Sequence, residues 1–218
     1  MLKDGGHPAS NAAGSSSAKP GGKESGLSRT PPHERIIETA RDLFRKHGLR
    51  GVGVDAIAEA AGTNKMTLYR HFGSKDELIA ACLTQAGLEA AREWDEWEAE
   101  FADDPMKLLH EWIACALSCA TEDPRGCDIA NAAVEITEAD HPARKVIAQV
   151  KTDHRNRLAR ICHAAGFRDA ELLADSLTLL VEGARVSWQS VGPKGPGSRF
   201  AQAAEAIVAA FARERSSG

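Results

Sequence analysis

The sequence predicts an all-α fold, on three observations. Apolar residues recur at three-and-four spacing in successive stretches, no stretch alternates apolar and polar residues long enough to suggest a strand, and the breaks between stretches carry helix-stop residues. Those breaks are Gly48, Asp104-Pro105, Asp123-Pro124-Arg125-Gly126, His141-Pro142, Gly166 and the run Gly192-Pro193-Lys194-Gly195-Pro196-Gly197. With 43% hydrophobic content, the 218 residues bury a substantial core, as one domain or as a small domain joined to a larger one.

The elements follow in order. Residues 1–30 are rich in Gly, Ser, Ala and Pro and lack aromatics, so they cannot offset the entropy of ordering and read as a disordered tail. Its Lys19, Lys23 and Arg29 are placed to brush DNA; the plainer reading is a solvated extension. Ile36, Ala40, Leu43, Phe44 and His47 mark one face of a helix over 33–47. Within 54–72, Ile57, Ala58 and Ala61 face one short helix, Leu68 and Phe72 another, with Gly62 at the corner between them. Further helices are expected at 75–101, 105–121, 127–138, 143–165, 169–190 and 199–214, about nine in all, and no internal repeat is present. Ser74 with Glu77 three residues later reads as a capping box opening the helix from 75.

The spacing in 54–72 is that of a helix-turn-helix. The stretch TNKMTLYRHF, 63–72, holds the only tyrosine and no acid, and its second helix projects Asn64, Lys65, Met66, Thr67, Tyr69, Arg70 and His71 away from the core. Such a set donates to phosphates and reads base edges, and Lys75 at the next helix N-terminus adds a phosphate clamp. A short basic helix is also an ordinary solvated surface; the register of Ala58, Gly62 and Leu68 favours the DNA reading. The net charge of -4 argues against nonspecific coating of nucleic acid while leaving room for a local basic surface. No apolar run approaches membrane-spanning length, nor does the N-terminus carry a signal-peptide core, so a cytoplasmic protein is expected. Five cysteines, an odd number, read as free thiols.

In RIIETARDLFRKHGLRGVGVDAIAEAAGTNKMTLYRHFGSKDELIAACL, 35–83, the chain resembles the TetR/AcrR family of bacterial transcriptional regulators. The resemblance rests on His47-Gly48, Ile57-Ala58, Ala61-Gly62, Leu68-Tyr69, His71-Phe72, Lys75 and Leu78. It implies a three-helix DNA-binding domain, 31–80, and a helical ligand-binding and dimerisation domain, 81–218. It also implies that Thr67, Tyr69 and Lys75 hold the DNA backbone while Asn64, Lys65, Met66 and Arg70 meet the operator. Val52-Gly53 stands where the family usually has two hydroxyl residues, and Met66 where glycine is common.

In the C-terminal domain, Leu172, Leu173, Ser176, Leu177, Leu180, Gly183, Ala184 and Ser187, with Phe200, Ala204, Ile207 and Phe211, form apolar stripes suited to a dimer interface or to the chain's own core. The resemblance places dimer contacts on the last two helices, and a two-fold dimer sets its reading helices about 34 Å apart on a palindrome. Trp94, Trp97, Phe101, Trp112 and Trp188, with Cys115, Cys119 and Asn131, are expected to line a cavity for a flat apolar effector, although tryptophans also fill ordinary cores. Ala130-Asn131-Ala132 after Arg125-Gly126-Cys127 resembles a sequence that recurs in some of the family's ligand domains. Acids from Glu89 to Asp104 form a solvated face, or one that draws a cationic ligand.

The expected function is thus a dimeric, ligand-responsive repressor of a double-stranded operator, without cofactor or metal; activation is not distinguished from repression. One alternative is redox sensing through Cys127 or Cys115/Cys119. Another is a DNA-binding protein without a ligand. No phosphate loop, nucleophile elbow or paired metal motif supports an enzyme, and Asp153-His154 and Asp140-His141 read as surface pairs.

Overall fold

The structure, a computed structural model, describes residues 30–121 and 126–213; the tail before Thr30 and Arg125 of the predicted helix break lie outside the described residues. Among the described residues there are nine α-helices and no strand, as the periodicity predicts. They are α1 (Pro32–His47), α2 (Val54–Ala60), α3 (Lys65–Phe72), α4 (Lys75–Glu100), α5 (Pro105–Thr121), α6 (Asp128–Glu135), α7 (Ala143–Ala164), α8 (Ala170–Val191) and α9 (Phe200–Arg213).

Helix α1 starts on a proline, whose missing N–H costs nothing there, and ends at Gly48 with basic Arg45, Lys46 and His47 in its last turn. It buries Ile36, Ile37, Ala40 and Phe44, while His47 points to solvent. Helix α6 stops at Glu135 rather than 138, because Ile136 turns extended and buries its side chain in the core. The Gly/Pro run after α8 forms two 3-10 turns, Gly192–Lys194 and Pro196–Arg199, that fold back on α8. Only glycine fits at 197: a Cβ there would lie 2.6 Å from the Ala184 carbonyl oxygen.

Two apolar clusters organise the chain. The first joins α1, α2, α3 and the first turns of α4 with Ile129, Ala132, Ile136, Ala143 and Ile147 from α6 and α7. The second joins Trp94 of α4 with α5, the later turns of α7, α8 and α9. Helix α4, roughly 39 Å long for its 26 residues, is therefore anchored in both.

Candidate nucleic-acid interface and internal cavity

Helices α2 and α3 meet through a Schellman turn. Gly62 takes φ +61, the Thr63 N–H donates to the Ala58 carbonyl at 2.9 Å, and the Gly62 N–H to that of Glu59 at 3.0 Å. Ala58 is buried where the helices close, and Arg35 of α1 donates through Nε to the Ala61 carbonyl at 3.3 Å, fixing the turn to α1. Helix α2 has no side-chain cap, because Gly53 occupies the N-cap position.

On α3 the candidate DNA residues divide. Leu68 and Phe72 are buried and hold the helix down, and Tyr69 is half-buried against the same cluster. Met66 stands 80% exposed; Arg70 and His71 are exposed too, the His71 ring 5.9 Å from that of His33. Two residues carry local duties that the sequence did not suggest. Asn64 caps α3, its Oδ1 accepting from the Thr67 N–H at 2.9 Å, and Lys65 pairs with Asp55 of α2 at 3.0 Å. That hydrogen bond, reinforced by the Asp55 charge, raises the Lys65 pKa. The acid-free stretch thus meets an acid supplied by the preceding helix. Ser74 caps α4 by accepting from the Glu77 N–H at 3.0 Å. The reciprocal half of the predicted capping box is replaced, since the Ser74 N–H donates to the Phe72 carbonyl. Lys75 opens α4 with its ammonium 6.0 Å from the Phe44 ring centre.

The far end of α1 is bound to α6. Asp128 accepts from Arg45 Nε and Nη2 at 2.9 and 2.8 Å, Glu135 accepts from the Leu49 N–H at 2.8 Å, and Arg50 pairs with Glu138 at 3.1 Å. His141, read from sequence as half of a surface pair, is a structural residue: its Nδ1 accepts from the Ala143 N–H and its Nε2 lies 3.5 Å from Asp76.

Beyond this junction lies a cavity of about 430 Å³ between α4, α5, α6, α7 and α8. Trp94, Trp97, Trp112, Cys115 and Cys127 line it. Asn131 lines a smaller adjoining cavity of about 190 Å³ against α1. Phe101 and Trp188 do not line the cavity; Phe101 packs on the second cluster beneath the Lys107 ammonium, 4.9 Å away. The Cys119 side chain lies outside the described residues. Sequence reasoning missed the polar lining, Arg41, Arg45, Lys151, His154, Glu182 and Arg185. His154 is no surface residue: burial, then the charges of Arg185, Lys151 and Arg157, lower its pKa. The available signal was Lys151, His154 and Leu158 at three-and-four spacing on one face of α7, matched by Thr178, Val181, Glu182 and Arg185 on α8.

Four acids of the run from Glu89 to Asp104 have partners. Glu89 holds Arg41 at 2.8 Å, Asp95 and Glu98 hold Arg157, and Asp104 caps α5 through the Lys107 N–H.

Of the candidate dimer residues, Leu173, Leu177, Ala184, Phe200 and Ala204 are buried in the chain's own core, and Leu180, Ile207 and Phe211 pack against it. Leu172 (59%), Leu179 (74%) and Val186 (63%) are exposed instead, seven residues apart. With Ser176 and Gly183 they form one open stripe on α8, a face of which the sequence reading contained only Leu172, Ser176 and Gly183.

Residues 36–82, which comprise nearly all of this helix-turn-helix unit, match the family model described as bacterial regulatory proteins, tetR family. The crystal structure of a TetR transcriptional regulator from Streptomyces avermitilis, 28% identical, superposes with a TM-score of 0.69 over 84% of this chain and 98% of that one. The helix-turn-helix unit is that of the TetR family. Among curated relatives, the HTH-type transcriptional repressor DhaR of Mycobacterium sp. (strain GP1) is 25% identical over 57% of this chain and 62% of its own length. The HTH-type transcriptional regulatory protein RaaS of Mycobacterium tuberculosis is 52% identical over 23% of each. The chain thus spans less than two thirds of the length of these relatives. The family and these relatives are transcriptional regulators, not enzymes. Among the described residues, no helix is long and apolar enough to cross a membrane.

Proposed function

We propose that the chain is a ligand-responsive repressor, a homodimer that occupies a palindromic operator in the cytoplasm and leaves it when a small molecule enters the internal cavity. The observation that carries this reading is the continuity of α4, which begins beside the DNA-reading helix at Lys75 and carries Trp94 and Trp97 of the cavity wall at its other end. Residues 31–80 act as the reading unit and 81–218 as the sensing and pairing unit. Thr67, Tyr69 and Lys75 hold phosphates. Met66, Arg70 and His71 enter the major groove, where each good base contact is worth ~1–3 kcal/mol. Lys65 joins them by exchanging Asp55 for the DNA backbone, and Asn64 contributes its amide N–H groups while its oxygen caps α3. A ligand that shifts the cavity end of α4 also shifts α6, which is tied to α1, and moves the paired reading helices out of successive grooves. Repression is further supported by the name of the DhaR relative.

The open α8 stripe is the dimer seam, with Leu172, Leu179 and Val186 as its apolar residues and Gly183 permitting close approach. Leu179→Glu tests it by sedimentation velocity with DNA-binding titration. A monomer with weakened operator binding is expected, because a single half-site loses the second set of contacts. A variant that stays dimeric and binds normally would move the seam elsewhere.

A further inference from the structure

The cavity has an aromatic side and a charged corner, and the corner is unbalanced. On the aromatic side Trp94 makes an edge contact with Trp97, ring centres 5.8 Å apart, and stacks on Trp112 at 6.5 Å. At the corner one carboxylate serves two cations: Glu182 meets Lys151 at 2.5 Å and Arg185 at 3.4 Å. Arg185 Nε and His154 Nε2 are buried there without a hydrogen-bond partner, in a class of groups that is almost always satisfied. The other lining acids bring no relief. Asp128 is taken by two bonds from Arg45, and Glu93 is an exposed residue of α4. Arg41 is held by Glu89 and Arg45 by Asp128, so the excess of positive charge sits at Lys151 and Arg185, which share the one carboxylate of Glu182. The field of Lys151 and Arg185 that disfavours an imidazolium at His154 favours an anion at the same place. The tryptophans next to it, one of them 6.2 Å from the His154 ring, favour flat rings.

We infer that the cavity takes a planar aromatic carboxylate, its rings against Trp94, Trp97 and Trp112 and its anionic group at Lys151 and Arg185. This rests on the reading of the cavity as the effector site, and it reverses the sign that the acidic run of α4 suggests, since Glu89, Asp95, Glu98 and Asp104 of that run are engaged by Arg41, Arg157 and the α5 cap and Glu93, Glu96, Glu100 and Asp103 are exposed. A neutral amide would occupy the same volume and leave the corner charge unanswered; an ammonium would meet two cations.

The test is isothermal calorimetry of the full chain with three probes of one shape, naphthoate, naphthamide and naphthylmethylammonium. Naphthoate should bind at least ~10-fold tighter than naphthamide, the worth of one charge-assisted hydrogen bond, with the ammonium weakest. Lys151→Met and Arg185→Gln should each remove most of that preference, while Glu182→Gln, which frees both cations, should raise naphthoate affinity. A purely structural role for these residues would move all three probes together. Equal binding of the amide or ammonium, no binding by naphthoate, or a Glu182→Gln variant that weakens naphthoate would overturn the inference. Operator release is read separately. Naphthoate bound with the predicted preference but without release refutes the regulatory reading and supports the ligand class; release by the ammonium and not by naphthoate does the reverse.

Discussion

Replacing Asp128 by alanine should cost about 2 kcal/mol of folding stability and weaken communication between cavity and DNA-reading unit. Its carboxylate accepts two hydrogen bonds from Arg45 at 2.9 and 2.8 Å and lies 3.7 Å from Arg41. The side chains are 16% exposed for Asp128 and 29% for Arg45, so the pair is screened less than a surface pair. Exposed pairs contribute ~0–1 kcal/mol, and breaking a buried one costs ~3–5, which places this half-buried bidentate pair near 2. Urea unfolding of wild type, Asp128→Ala, Arg45→Met and the double variant measures it directly. The cycle should return a coupling of ~1–2 kcal/mol. Because the pair ties α1 to the first turn of α6, which lines the cavity, Asp128→Ala should also keep operator binding while needing more effector for release, with effector affinity measured alongside. A coupling below ~0.3 kcal/mol together with an unchanged release curve would refute the reasoning.

Three other outcomes follow from individual side chains, one of them from a pair of buried thiols. Lys75→Ala should weaken binding to all operators alike and lower the salt slope by about one, read by fluorescence anisotropy across ionic strengths; an unchanged slope removes Lys75 from the phosphate contacts. The folded-state pKa of His154 lies below its ordinary value of ~6.5 because of burial and three nearby cations, so as pH falls below that value the unfolded chain takes up the proton first and stability drops. His154→Gln should flatten the decline between about pH 7 and 5 in thermal melts, and identical slopes would contradict it. Burial pushes the thiols of Cys82 and Cys162 up to about 12. At pH 8 iodoacetamide should therefore modify them far more slowly than the half-buried Cys127, as peptide mass spectrometry would show, and equal rates would contradict it.

The helices were legible because their boundaries are local chemistry: Pro32 starts α1, Gly48 stops it, Asn64 and Ser74 cap, and Gly62 supplies the one positive φ the reading turn needs. The helix-turn-helix unit was legible for the same reason, since its register spans few residues. The α8 face was not. Leu173 and Leu177 point into the core and Leu179 and Val186 out of it, yet all are apolar at helical spacing, and only the positions of neighbouring helices decide which face is covered. The charged corner escaped notice because Lys151 and Glu182 are distant in sequence and meet only when α7 and α8 pack. The Lys65–Asp55 pair is hidden in the same way, because it spans the turn and its acid lies outside the acid-free stretch 63–72.

The central claim is that α3 reads a specific, two-fold symmetric sequence. Selection of bound DNA from a random pool by the purified full chain tests it most directly. The account predicts enrichment of a palindrome whose half-sites lie about one helical turn, or a small multiple of it, apart. A pool that enriches no sequence, or one that enriches an asymmetric site bound by a single chain, would contradict it.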